Sequence, residues 1–234
     1  MLPTGGPLPA IRAGPGSPIF EEARNHMTAN DTDAEQAPSY FEVTCNQRAY
    51  RDLRPDPIPD ALIEKILKAG THAPSARNLQ PWHFIVVQDE GIRGEIAAGA
   101  RAAWEGFARA TTKDQTTPMF QEVDRWATGG LGQAPVIIVV CGDTRVVAVE
   151  EMGSSIYPAA QNILLAAAAL GLGSLMSSLP IYAPDGAFAK TLGLPDHIVP
   201  FATLPIGYPV RKLGRPGRRP IEEVTSRDRF GSSW

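Results

Sequence analysis

Ala73-Pro74-Ser75-Ala76-Arg77-Asn78-Leu79-Gln80-Pro81 runs without a break into Trp82-His83-Phe84-Ile85-Val86-Val87. The first part reads as a rigid polar loop, its prolines restricting the backbone while Ser75 and Asn78 offer hydrogen-bonding side chains. The second part is an apolar run of strand length. Pro135 opens another such run, Val136 to Val140, and strands apolar on both faces belong inside a sheet covered from both sides. A helical pattern precedes the first of these strands. Pro57 and Pro59 precede Asp60, a good N-cap, and Leu62, Ile63, Ile66 and Leu67 then recur at helical intervals, with Gly70 near the end.

Downstream, residues 90 to 128 read as mostly helical and more polar, with Trp104, Phe107, Phe120 and Trp126 as exposed or half-buried aromatics. An uncharged helix spans about Tyr157 to Leu170, a short strand falls near Ser174 to Ser177, and a helix lies near Asp185 to Leu192. A last strand covers Phe201 to Ile206. Strands alternating with helices predict an α/β or α+β sandwich built on one mixed sheet, with no internal repeat.

The chain has 234 residues, 43% of them apolar, enough for one sizeable core. Its net charge of −3 mixes both signs, which argues against nucleic acid or an anionic membrane as a partner. Two isolated cysteines, Cys45 and Cys141, fit neither a disulfide framework nor a zinc site and agree with a reducing cytoplasm. Met152 to Pro184 contains no charged residue, but prolines, glycines, serines, Gln161 and Asn162 interrupt the ~20-residue apolar run a membrane span needs. Residues 1 to 39 are rich in Pro, Gly and small polar residues and read as a flexible extension ahead of one domain over 40–234. Two accounts fit that extension: a segment upstream of a start at Met27, or an arm that wraps a partner subunit.

Three segments carry candidate chemistry. Gln47-Arg48-Ala49-Tyr50-Arg51 sets two arginines three residues apart, a fork suited to a phosphate, although taken alone a pair of surface cations is the more ordinary reading. Gly171-Leu172-Gly173-Ser174-Leu175-Met176 fails as a dinucleotide fingerprint, because it follows a helix and has Met176 in sixth place. Its simplest explanation is a glycine helix terminus. Arg211, Lys212, Arg215, Arg218 and Arg219 form a basic tail that is either solvated or a short nucleic-acid patch. His26, His72, His83 and His197 lack metal-ligand spacing, so no metal is expected. With no Gly-x-Ser-x-Gly elbow and no phosphate-binding P-loop, the chain offers no acid–base machinery, as expected where a cofactor carries the reaction.

From about Tyr40 to Phe230, the arginine turn, the Pro74-Ser75-x-x-Asn78-x-Gln80-Pro81-Trp82 loop and Gly171-Leu172-Gly173 together resemble the FMN-dependent nitroreductase family, and most nearly its actinobacterial NAD(P)H nitroreductases. The resemblance implies an α+β three-layer sandwich, a mixed sheet flanked by helices, in a domain-intertwined homodimer. It implies FMN as cofactor and NADPH or NADH as electron donor. NADPH is preferred because several arginines are available for a 2′-phosphate. Arg48, Ala49, Tyr50 and Arg51 would hold the phosphate and pyrimidine edge, with Ala49 replacing a serine found in many members. Pro74, Ser75 and Asn78 would reach the flavin of the opposite subunit.

Met176, Ser177 and Ser178 would line the ring, Ser178 as the donor toward N5, and Arg219 or Arg218 would meet the phosphate. The acidic residue that some members carry near the ring is absent. Trp104, Phe107, Phe120 and Trp126 would belong to a lid over the substrate, or else to packing at the dimer edge. The implied activity is ping-pong electron transfer to nitroaromatics or quinones. The same scaffold also implies alternatives: a non-catalytic flavin store, a dehalogenase, an ene reductase or a flavin-destroying enzyme.

Overall fold

In a computed structural model of the chain, residues 38–234 are described, so the expectations for the extension and for Met27 lie outside the described residues. Ser39 accepts the Glu42 amide at 3.2 Å, which caps α1, Tyr40–Asn46. β1 is the two-residue strand Leu53–Arg54. α2, Asp60–Thr71, starts one residue earlier than its expected cap: Pro59 holds the cap position and Asp60 opens the first turn, where its charge complements the helix dipole. β2 is Trp82–Val87, as the apolar run predicts. Asp89 caps α3, Glu90–Ala103, which continues through a π turn at Trp104–Ala108 into a short turn at Arg109–Thr111. Thr117 and Pro118 start α4, Pro118–Arg125, followed by a second π turn at Trp126–Gly130.

β3 is Val136–Asp143, longer than its purely apolar part because Cys141, Gly142 and Asp143 continue the pairing. α5, Val149–Ala169, begins eight residues before the uncharged stretch at Tyr157. β4 is Gly173–Ser174, α6 is Ala187–Thr191 and β5 is Ile198–Pro209. The sheet order is β1-β5-β3-β2, with β4 also on β5. All of these ladders are antiparallel, and a single parallel bridge from Ala49 to Ser174 makes the sheet mixed.

β3 divides the core. Successive side chains of a strand point to opposite faces. Val136, Ile138 and Val140 pack with Ile63 and Ile66 of α2 and Ile156 and Ile163 of α5. Ile137, Val139 and Cys141 pack on the other side with Ile96 and Ala100 of α3, Phe120 of α4 and Phe188 of α6. Helices over both faces of one sheet give the three-layer sandwich expected from the sequence. At its centre the Cys141 thiol is pushed up to about 12 by burial, so it stays protonated and unreactive.

The same packing corrects the expectation for the aromatics. Trp104, Phe120 and Trp126 are buried, not exposed or half-buried. Trp104 lies 5.6 Å from the Phe120 ring, and its indole N–H donates to Asp124 at 2.8 Å. Their helices look polar in sequence because the charged residues share one face while these rings turn onto the sheet. Phe107 alone of the four is exposed, at 73%.

Candidate functional site

The arginine turn sits where three distant segments meet. The Tyr50 amide donates to the Ser174 carbonyl at 3.0 Å, and Ala49 bridges the same residue. This joins the turn to β4. The Leu213 amide donates to the Tyr50 hydroxyl at 3.3 Å, and Arg215 Nε donates to Asn46 Oδ1 at 3.3 Å, joining it to the chain beyond β5. Arg48 Nη1 donates to the Gly214 carbonyl at 2.8 Å. Its Nε is buried and meets no acceptor among the described residues. Unpaired buried donors are costly, more so on a charged group, so this N–H points to an anionic acceptor.

Arg51 has a different employment. Its Nη1 donates to Glu122 at 2.9 Å in a half-buried ion pair that ties the turn to α4. Arg218 donates to the neighbouring Gly217 carbonyl, and both Arg218 and Arg219 are exposed. No hydrogen bond or ion pair joins either of them to the Arg48 turn among the described residues. The chain beyond β5 reaches this turn through Leu213 and Gly214, and Arg215 reaches Asn46 just before it. The arginine count hid this distinction, because a backbone carbonyl and the first residues after a strand carry no compositional signal.

Gly171-Leu172-Gly173 shapes the opposite wall. Gly171, with φ +76°, ends α5 in the left-handed region. The Leu172 amide donates to Ala167 and the Gly171 amide to Ala168, a pairing that closes the helix and turns the chain onto the sheet. A Cβ at Gly173 would lie 2.9 Å from Tyr50 Cβ, so only glycine lets β4 approach the arginine turn this closely.

Beyond β4, Ser177 exchanges backbone bonds with Thr203 of β5 at 2.9 and 2.8 Å, and its hydroxyl accepts the Leu179 amide at 3.1 Å. Ser178 is exposed next to it. Met176, Ser177 and Ser178, with Phe107, Leu179 and Tyr182, line one cavity of about 800 Å³. The structure thereby joins the expected ring-lining strand to the one exposed aromatic of the expected lid. Tyr182 was not anticipated. The available signal was an aromatic held between Pro180 and Pro184, next to the serine pair.

The Ser75 loop is organised around a different neighbour. The Ala76 amide donates to the fully buried hydroxyl of Ser155 on α5 at 3.1 Å, and Ser75 Oγ accepts from the Gln80 amide at 3.0 Å. Arg77, Asn78 and Gln80 all have positive φ, between 49° and 55°. Left-handed backbone costs roughly 1–2 kcal/mol per residue outside glycine, so this loop is held against its preferences. No hydrogen bond links it to the Arg48 turn in the same chain among the described residues.

Among the described residues no group of three or more His, Cys, Asp or Glu is placed to hold a metal. No helix among them is long and apolar enough to cross a membrane.

Residues 46–208 match the nitroreductase family, and the chain belongs to that family. The relatives it resembles carry different named activities, reductase and deiodinase among them. A candidate NADH dehydrogenase/NAD(P)H nitroreductase of Archaeoglobus fulgidus is 36% identical over 175 residues, 69% of this chain and 79% of its own length. An iodotyrosine deiodinase of Haliscomenobacter hydrossis is 26% identical over 73% of this chain and 79% of its own. Among solved structures, a candidate nitroreductase of Desulfovibrio desulfuricans in complex with FMN superposes with a TM-score of 0.65. It is 26% identical and covers 82% of this chain and 98% of its own.

Proposed function

We propose that the protein is a homodimeric FMN-dependent oxidoreductase that passes electrons from NAD(P)H to nitroaromatic or quinone-like acceptors. The observation that carries this reading is the buried, acceptor-free Nε of Arg48, fixed by Gly214 beside the β4 backbone. A phosphate oxygen satisfies that N–H, and the guanidinium neutralises the phosphate charge. When bound, FMN supplies hydride acceptance from a nicotinamide and two-electron delivery to the acceptor.

The chain's own residues do the holding and shaping. Arg48 anchors the phosphate end, with Ala49 and Tyr50 offering backbone along β4. Arg51, paired with Glu122, keeps positive charge near the pyrimidine edge and fixes the turn against α4. Met176, Ser177 and Ser178 border the ring, Ser178 as an exposed residue of the cavity wall. Pro74, Ser75 and Asn78 serve the site of the second subunit, a role supported by their strained loop and its separation from Arg48. One cavity for donor and acceptor in turn gives ping-pong kinetics. NADPH is favoured over NADH, and a cytoplasmic location suits a nicotinamide-fed reductase.

Spectroscopy tests the reading. Purified protein is expected to show a flavin spectrum that bleaches anaerobically with NADPH and recovers with a nitroaromatic. Protein that takes up no FMN after incubation with it sinks the proposal. The deiodinase relatives favour one second reading, reductive dehalogenation on the same scaffold, which halide release from a halogenated phenol would reveal.

A further inference from the structure

A second cavity, of about 440 Å³, opens where the start of β2, the end of β3 and the connection from α6 to β5 meet. Small-molecule sites typically enclose roughly 300–1,000 Å³, so its size suits a small ligand. The ladders place it far from the Arg48 turn. Ile198 pairs with Asp143 at the cavity end of β5, whereas β1 and β4 meet β5 between Ile206 and Pro209. At about 3.3 Å of rise per residue, Ile198 and Tyr208 lie on the order of 30 Å apart.

Backbone bonds hold the three segments together. The Asp143 amide donates to the Pro81 carbonyl at 2.9 Å, and the Thr144 amide to the His197 carbonyl at 2.9 Å. Gly193, at φ +60°, turns the chain out of α6, its amide donating to Lys190 and that of Leu194 to Ala189. Ile85, Leu194 and Ile198 give the wall apolar surface from two of the segments. His83, His197, Asp143 and Arg145 supply its titratable groups, and Gln80 adds an amide.

Hydrogen bonding decides which of these charges remain unpaired. Both Asp143 oxygens accept from Arg145, Oδ1 from the amide and Nε, Oδ2 from Nε and from Nη2 at 2.6 Å. Arg145 Nη1 meets no acceptor, and neither imidazole takes part in a hydrogen bond, among the described residues. Asp196, exposed between Pro195 and His197, is not part of the wall. The single carboxylate of the wall is thus neutralised, while a guanidinium edge and two imidazoles stand beside apolar surface. A neutral imidazole carries one N–H donor and a protonated one carries two.

We infer that this cavity is a second ligand site, which takes a small organic carboxylate with an apolar body. Arg145 Nη1 and the His83 and His197 rings meet the carboxylate oxygens, and Ile85, Leu194 and Ile198 cover the carbon body. Inorganic phosphate suits it poorly, because it brings more charge and leaves the apolar surface uncovered. This site is independent of the flavin reading.

The test follows the imidazole signals of the purified full-length protein by NMR during titration. The probes are cyclohexanecarboxylate, cyclohexanecarboxamide and inorganic phosphate, the non-planar ring being ill suited to stacking on a flavin. Cyclohexanecarboxylate is expected to shift His83 and His197 saturably, with Kd of about 1 mM or below. His72, whose Nδ1 lies 2.7 Å from the Lys68 carbonyl on α2, should not move. The carboxamide and phosphate should each bind at least about tenfold more weakly. Arg145→Gln should weaken the carboxylate about tenfold, and His83→Phe, read at His197, about threefold or more. No saturable shift by about 10 mM overturns the inference, as does carboxamide or phosphate binding as tightly as the carboxylate. So do an equal shift at His72, or an Arg145→Gln variant that binds within twofold of the parent. The three-probe comparison on the parent protein stands whether or not the variants fold.

Discussion

Two arginine-bearing segments face each other in the sequence as near equals, yet the fold treats them in opposite ways. In the turn at 47–51, Arg48 and Arg51 are half-buried and fixed by named partners, Gly214 and Glu122. In the tail, Arg218 reaches only the adjacent Gly217 carbonyl and Arg219 lies open to solvent. The difference is topological. The turn is stitched to β4 by Ala49 and Tyr50 and to the post-β5 chain by Tyr50, so its side chains are positioned before any ligand arrives. A cation held this way loses little entropy on binding an anion, whereas a solvated one must be ordered first.

The largest expected effect tests that contrast directly. A charge-assisted hydrogen bond contributes about 1.5–3 kcal/mol, so Arg48→Ala should weaken FMN binding by roughly 10- to 150-fold and give protein that loses flavin on dialysis. Arg219→Ala, assayed in parallel by flavin fluorescence release, is expected to change affinity less than about threefold. Equal loss in the two variants would mean that the tail holds the phosphate, and the contrast would collapse.

A somewhat smaller effect is expected from Gly173→Ala. Its new Cβ meets Tyr50 and Leu53 side-chain atoms at 2.9 Å and pushes β4 off the turn. Overpacking of this kind typically costs about 1–3 kcal/mol, so thermal unfolding should shift downward and flavin affinity should fall with it. A variant with normal melting temperature and normal flavin content would show that the turn does not depend on this approach.

Arg215→Ala is milder still. It removes a single exposed hydrogen bond to Asn46 and should reduce flavin affinity only a few-fold in low salt, with no effect on melting. An effect as large as that of Arg48→Ala would move the anchor from the turn to the chain beyond β5.

Much of this arrangement was legible in the sequence. The apolar runs at Trp82–Val87 and Val136–Val140 announced the two central strands because strands covered on both faces leave no room for polar alternation. The Gly171-Leu172-Gly173 run marked a helix end, which Gly171 makes at φ +76°, whereas the close approach of Gly173 to Tyr50 came to light only in the structure. What could not be read were pairings set only by the closed chain. Glu122 is one polar residue among several in a helical stretch, and nothing in its neighbours selects Arg51 as its partner. The inward turn of Trp104 depends on a π turn, which shifts the helical face by one residue and so defeats any fixed period. The three left-handed residues at Arg77, Asn78 and Gln80 are likewise invisible, since only Asn78 has the residue type that commonly adopts them.

Arg145 supplies the weakest and most conditional member of the arginine series. It grips Asp143 through its guanidinium, at 2.6 Å from Nη2, and this hydrogen bonding holds the Asp143 carboxyl down to about 2. A carboxylate depressed in the folded state adds stability above its unfolded value near 3.9, and that stability is lost as pH falls toward 2. Arg145→Ala should therefore lower the urea midpoint slightly at pH 6, with the gap closing between about pH 4 and pH 2. The pair is solvent-exposed on the arginine side, so the gap should also shrink in high salt. A pH-independent difference would mean that Arg145 acts by packing and not through its charge. Arg145 would then stand apart from Arg48, whose proposed role depends on a charge that no carboxylate among the described residues pairs.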